Sequence, residues 1–170
     1  MNNKTLTGVF FANPRFFMIA IQDYYADHFA RCYGCGRLNA HGYQLKTRWN
    51  GEHTLTTFVP KEYHTSIPGF VYGGLLASLI DCHGTGSAAL ALARDRGLVL
   101  VPYNAPRCVT ASLQINYLSP TPIESEIRIL GKIIEVKGRK VIVDAELYAD
   151  NKLCVTGRII AVEVPENFGK

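Results

Sequence analysis

Alternation of apolar and polar positions dominates the second half of the chain. Across 107–118, Val109, Ala111, Leu113, Ile115 and Tyr117 alternate with Thr110, Ser112, Gln114 and Asn116, a pattern that predicts a half-buried strand ended by Pro120 and Pro122. Residues 126–136 alternate at Ile127, Ile129, Gly131 and Ile133, and 140–149 at Val141, Val143, Ala145 and Leu147. Lys137-Gly138-Arg139 forms a tight turn between them, and Asn151 turns the chain into a last strand, roughly 153–164. Three meandering strands, each longer than a typical strand, predict a strongly curved antiparallel sheet.

The first half reads differently. Phe17, Ile21, Tyr24, Tyr25 and Phe29 are spaced as one face of a helix over 14–30 that begins near Pro14. A turn-rich connection, 31–42, precedes two strands, 43–49 and 54–59, around the hairpin signal Asn50-Gly51. After a loop over 60–72 the chain is apolar on most faces from Gly73 to Ala93, and Gly97 offers a helix stop. A membrane span there would carry Asp81 without a partner, so a buried helix is expected and no membrane span. Such a helix must be wrapped, and the curved sheet is the only other large element. The expected class is therefore α+β: a curved antiparallel sheet around one long central helix, with a helical N-terminal extension.

Composition narrows the picture. The chain has 170 residues, 48% hydrophobic and 19% charged, which fits one folded domain and excludes a disordered chain. A net charge of +4 suits a small anionic ligand and is too weak for a nucleic-acid partner. No apolar run followed by a small-residue cleavage site opens the chain. The five cysteines are an odd number in apolar stretches, which argues against a disulfide framework and for a reducing, cytoplasmic compartment. Cys32 and Cys35 form a C-x-x-C, with His41 six residues on. A closed zinc site needs four ligands, and no second such pair exists, so neither metal nor cofactor is expected. Cys82, Cys108 and Cys154 read as buried thiols, and a Cys82–His83 nucleophile pair is disfavoured because neighbouring helix residues point apart.

The candidate chemistry lies on the long helix. Gly74, Ser78, Asp81 and Thr85 follow i, i+4, i+7, i+11 and share one face, while Leu75, Leu76, Leu79 and Ile80 fill the others. A lone carboxylate on so apolar a helix is costly unless it is satisfied or used. The Gly73-Gly74 entry lets a ligand approach the free N–H groups of the first turn, which favour a developing oxyanion. A carboxylate two turns on suits a nucleophile or general base for acyl transfer.

These residues resemble a known family. His64-Thr-Ser-Ile-Pro-Gly-Phe-Val-Tyr-Gly-Gly, followed by an apolar helix with Asp81 nine residues after Tyr72, resembles the hotdog-fold acyl-CoA thioesterases of the phenylacetate-pathway (PaaI-like) family, whose pattern is H-x-G-x-P-G-x-V-H-G-G. C-Y-G-C-G-R-L-N-A-H-G-Y-Q-L resembles that family's lead-in, and Thr110-Ala-Ser-Leu-Gln-Ile-Asn-Tyr resembles its strand carrying a hydroxyl near the catalytic carboxylate. The resemblance runs from about Cys32 to Val164 and implies a hotdog fold. It makes Asp81 the catalytic carboxylate, Gly73 and Gly74 the source of the oxyanion N–H, and Thr110 the hydroxyl that positions water or carboxylate. It implies acyl-CoA as substrate, held in part by His64 and Tyr72, and a homodimer or homotetramer with sites between subunits. Lys137, Arg139 and Lys140 read either as a solvated turn or as a grip on the nucleotide phosphates. Tyr72 departs from the pattern, standing where the family has His. Two rivals follow: a non-catalytic acyl-CoA-binding protein, and a hotdog dehydratase or hydratase using His64 or His83.

Overall fold

The computed structural model describes residues 20–169. Six antiparallel strands, β1 (Arg48–Trp49), β2 (Thr54–Phe58), β3 (Cys108–Tyr117), β4 (Ile127–Lys137), β5 (Lys140–Ala149) and β6 (Lys152–Glu163), form one sheet in the order β1-β2-β4-β5-β6-β3. The helix α1 (Gly73–Asp95) packs against it and touches every strand. This is the α+β hotdog arrangement that the patterning and the resemblance imply.

The turns follow from their residues. Gly138, at φ +59, takes the first position of the two-residue turn between β4 and β5. Asp150 and Asn151, both with positive φ, close the β5–β6 hairpin. At Asn50 the side-chain carbonyl accepts the His53 N–H, giving a four-residue connection and leaving only Arg48 and Trp49 of 43–49 in the sheet. Helix α1 stops at Gly97, φ +60, where the Leu98 N–H reaches Ala93 O and the Gly97 N–H reaches Arg94 O.

The core is the seam between α1 and the sheet. Ile127, Ile129, Val141, Val143, Ala145, Leu147, Val155, Ile159 and Ala161 turn inward and are at most 1% exposed. They meet Leu75, Leu79, Ile80, Leu90 and Leu92 of the helix. A Cβ on Gly84 would stand 2.5 Å from the Ile159 side chain, so the close approach of helix and sheet needs glycine there. By length and composition α1 could cross a membrane, but 83% of its most apolar window is buried in this core.

Two expectations are corrected. The helix expected over 14–30 is not continuous: from residue 20 onward the chain makes two short 3-10 turns, Ile21–Tyr24 and Asp27–Phe29, and residues 14–19 lie outside the described part. The Gln22 side chain explains this, since it binds the Thr47 backbone N–H and hydroxyl and ties the segment to the domain. The strict alternation expected in β3 is broken by a bulge between Thr110 and Ser112. In a plain strand Thr110 and Tyr117 would face opposite sides. The extra residue turns both toward α1, where Thr110 meets Asp81 and Tyr117 meets Gly73.

Candidate active site

The first turn of α1 supplies the donors. Tyr72 is the residue before the helix, and its carbonyl accepts the N–H groups of Leu75 at 3.1 Å and Leu76 at 3.3 Å. Its own N–H is spent on His64 O at 2.8 Å, and its side chain does not cap the helix. Among the described residues, the N–H groups of Gly73 and Gly74 are left without an acceptor. The Tyr117 hydroxyl donates to Gly73 O at 2.8 Å and fixes this turn from the edge strand.

Asp81 stands half-buried two turns on. The hydroxyls that share its face are used within the helix: Ser78 Oγ donates to Gly74 O at 2.9 Å, and Thr85 Oγ1 to Asp81 O and Cys82 O at 3.2 Å. The Asp81 carboxylate is instead met across the gap by the Thr110 hydroxyl, which donates to Oδ1. A second carboxylate oxygen remains for water or substrate.

Tyr72 is 57% exposed and folds back across Gly74, so that a Cβ on Gly74 would lie 2.4 Å from the tyrosine oxygen. The tyrosine thus borders the open N–H groups. His64 is turned elsewhere. Its Nδ1 accepts the Lys61 N–H at 3.0 Å, and its ring stacks edge-on with Tyr43 and Tyr63. Burial, with Lys61 adding to it, lowers its pKa below the usual histidine value. His64 therefore holds the approach loop, its carbonyl fixing Tyr72, and its ring does not reach Asp81.

Lys137, Arg139 and Lys140 sit at the β4–β5 turn. Lys140 pairs with Glu135 at 3.0 Å. Arg139 O accepts the N–H of Glu163, whose carboxylate binds Arg96 at the far end of α1. A 23-residue helix is about 35 Å long, so one chain does not set these cations beside Gly73 and Gly74.

His83 is wholly buried. Its Nδ1 lies 2.9 Å from Thr56 Oγ1, its Nε2 faces Thr54 and Ser87, and burial pulls its pKa down to about 3. It is a neutral structural histidine.

Sequence reasoning missed two features. The alternation puts Tyr117 only on a packing face, because the bulge that re-aims it has no sequence signature beyond a run of small and polar residues. Cys82 is a buried thiol, as its apolar run implies, and the fold also places its sulfur against the C-x-x-C. The sulfurs of Cys32, Cys35 and Cys82 all lie within 4.8 Å of one another. Hydrogen bonds shared among them hold the Cys32 thiol far below its usual value and push Cys35 up to about 11.

Comparison with known proteins places the fold in a family. A crystal structure of a thioesterase superfamily protein from Shewanella loihica PV-4 is 50% identical, with TM-score 0.61 over 75% of this chain and 96% of that one. The acyl-coenzyme A thioesterase THEM4 of Xenopus laevis is 30% identical over 53% of this chain, and that of Mus musculus 28% identical over 62%. The matched parts are only 35% and 40% of those two proteins' lengths. The sequence profile of the thioesterase superfamily matches residues 68–156, more than half of the chain, from the approach loop through Asp81 and Thr110 into β6. By its helix, its sheet and this match, the chain belongs to the thioesterase superfamily.

Proposed function

We propose that this protein hydrolyses an acyl-CoA thioester to a free acid and CoA. The observation that carries the reading is the Thr110 hydroxyl seated on the Asp81 carboxylate, on a helix whose first turn leaves two glycine N–H groups free. The thioester oxygen would accept those N–H groups as negative charge develops on it. Asp81 would either attack the carbonyl carbon, giving an anhydride that water then opens, or take a proton from the attacking water. In both routes the thiolate of CoA leaves, and Thr110 fixes the carboxylate oxygen that does not react.

Spacing along the helix adds a requirement. Asp81 lies eight residues beyond Gly73, about 12 Å along the axis. One carbonyl group cannot contact both. The reading therefore needs Gly73 and Gly74 from one copy of the chain and Asp81 from another, which makes a homodimer the smallest active unit, alone or within a homotetramer. The exposed edge strand β3, with Leu113 and Tyr117 uncovered, suits such pairing. A second copy could also bring Lys137 and Arg139 to the nucleotide phosphates. Five free thiols suit a reducing, cytoplasmic location.

Free-thiol release from a panel of acyl-CoAs tests the proposal. Asp81→Asn should abolish release while leaving the circular dichroism spectrum unchanged. A variant that keeps more than about a tenth of wild-type kcat/KM, a loss below about 1.4 kcal/mol, would remove Asp81 from catalysis. The second reading, an acyl-CoA-binding protein without turnover, rests on Tyr72 in place of the family's histidine, and tight binding with no thiol release would favour it. A hydratase needs a histidine beside the carboxylate, and both His64 and His83 are engaged elsewhere.

A further inference from the structure

We propose that Cys32, Cys35 and Cys82 form a binding site for a thiophilic d10 cation of the zinc class. The sequence places two of the three ligands in one turn, and the fold delivers the third from α1. The Sγ atoms of Cys32 and Cys82 are 3.8 Å apart, and the three sulfurs fall within 4.8 Å of one another. Tetrahedral thiolate ligands at the usual zinc–sulfur distance of about 2.3 Å stand about 3.8 Å from each other. The Cys32–Cys82 pair thus already has the spacing that a shared cation imposes, and Cys35 lies within 4.8 Å of both.

The surrounding chain is built around this spacing. Gly36 donates its N–H to Cys32 O at 2.8 Å, which folds the C-x-x-C into a tight knuckle. A Cβ on Gly34 would lie 2.2 Å from Cys82 Sγ, so only glycine lets the knuckle close onto the helix. A Cβ on Gly36 would strike backbone atoms of Cys32 at 2.5 Å and 2.6 Å.

Charge points the same way. Three thiols that take a divalent cation release three protons to solvent and leave a net charge of −1. The Arg107 guanidinium lies within electrostatic reach of Cys32 and Cys35, and its Nη1 has no hydrogen-bond partner. Among the described residues Arg107 has no carboxylate partner, so it is available to neutralise the loaded site. The fourth position falls to a solvent oxygen, reached past the half-exposed Cys32. Because Cys82 follows Asp81 directly, a cation here would pin the 32–36 knuckle to the helix next to the candidate carboxylate. The inference does not depend on thioester hydrolysis.

The test uses the whole chain, reduced and stripped with a chelator, with Co²⁺ and Zn²⁺ as probes. Equilibrium dialysis should find one cation per chain, and Co²⁺ should produce thiolate-to-metal charge-transfer absorption. Cys32→Ser and Cys82→Ser should each weaken binding by at least tenfold. Should either variant fail to fold, alkylation of the unmodified chain followed by peptide mass mapping identifies the ligands: Zn²⁺ should protect Cys32, Cys35 and Cys82 and leave the other two unchanged. Less than about 0.1 cation per chain, no charge-transfer band, or protection confined to other cysteines overturns the proposal. So does a band that survives in the folded Cys82→Ser variant.

Discussion

The Thr110 hydroxyl donates to Asp81 Oδ1 across the gap between edge strand and central helix, and it can do so only because a bulge follows Thr110 in β3. The strand otherwise turns Leu113, Ile115 and Tyr117 toward the helix, and continued alternation would have faced Thr110 away. A hydrogen bond to a carboxylate is worth about 1.5–3 kcal/mol. Thr110→Val keeps the shape and removes the donor, so kcat for thiol release should fall by about 10–100-fold with KM little changed. Thr110→Ser should recover most of the loss. Equal activity of the valine and serine variants would show that the hydroxyl has no part in the reaction.

That bulge also marks how far the chain could be read in advance. The four long strands and α1 were legible because each carries many residues of one period: Val141, Val143, Ala145 and Leu147 all point inward as their spacing says. Asp81 was legible because one carboxylate interrupts an apolar helix. What alternation cannot report is a single inserted residue, since a shift of one reverses faces without altering composition. The joining of Cys82 to Cys32 and Cys35 was hidden for a different reason. It depends on contact across 50 residues of sequence, set by how the N-terminal turns dock on α1. Those turns carry a helical signal because Ile21, Tyr25 and Phe29 repeat every four residues, whereas Gln22 binding to Thr47 decides their form.

The buried His83 gives stability a defined dependence on pH. Its pKa is pulled down to about 3 in the folded protein, because burial disfavours the cation, against an ordinary histidine value of 6.5. Between those values the unfolded chain holds the extra proton and the folded chain does not. Stability is therefore undiminished above pH 6.5 and falls as the pH drops toward 3, by at most about 1.4 kcal/mol per pH unit from this group. His64, also lowered, adds a smaller change of the same sign. Urea midpoints at pH 5.0–6.5 should thus decrease with acid, and His83→Gln should flatten the slope. An unchanged slope in that variant would mean that His83 is already protonated in the folded state.

Tyr72 lies over Gly74 and is 57% exposed, where the family's pattern has histidine. The oxyanion donors are backbone groups and survive any side chain at this position. Tyr72→Phe should therefore cost less than tenfold, mostly in KM, since the ring that borders the entry is kept. A drop in kcat on the order of 10²-fold, the effect of losing one oxyanion donor, would instead make the tyrosine hydroxyl a direct contact of the substrate.

The separation of Gly73 from Asp81 can be turned into a test of a two-chain site. Position 73 is the first residue of α1, and Tyr72 before it has φ −61 and ψ 128, a conformation that a following proline accepts. Proline is well tolerated at the first helical position, and a Cβ there would meet only the Tyr117 ring at an ordinary 3.6 Å. Gly73→Pro therefore removes one N–H donor while the helix persists, and thiol release should fall on the order of 10²-fold. Asp81→Asn is inactive for a separate reason. If each site takes its N–H from one chain and its carboxylate from the other, a mixed dimer of these two variants holds one intact site and one doubly damaged site. Random re-pairing makes half of the dimers mixed, so the mixture should regain about a quarter of wild-type activity although neither variant is active alone. If both groups act within one chain, every site in the mixture carries a defect and no activity returns. Mixing under conditions that exchange subunits, followed by the thiol-release assay, separates the two arrangements.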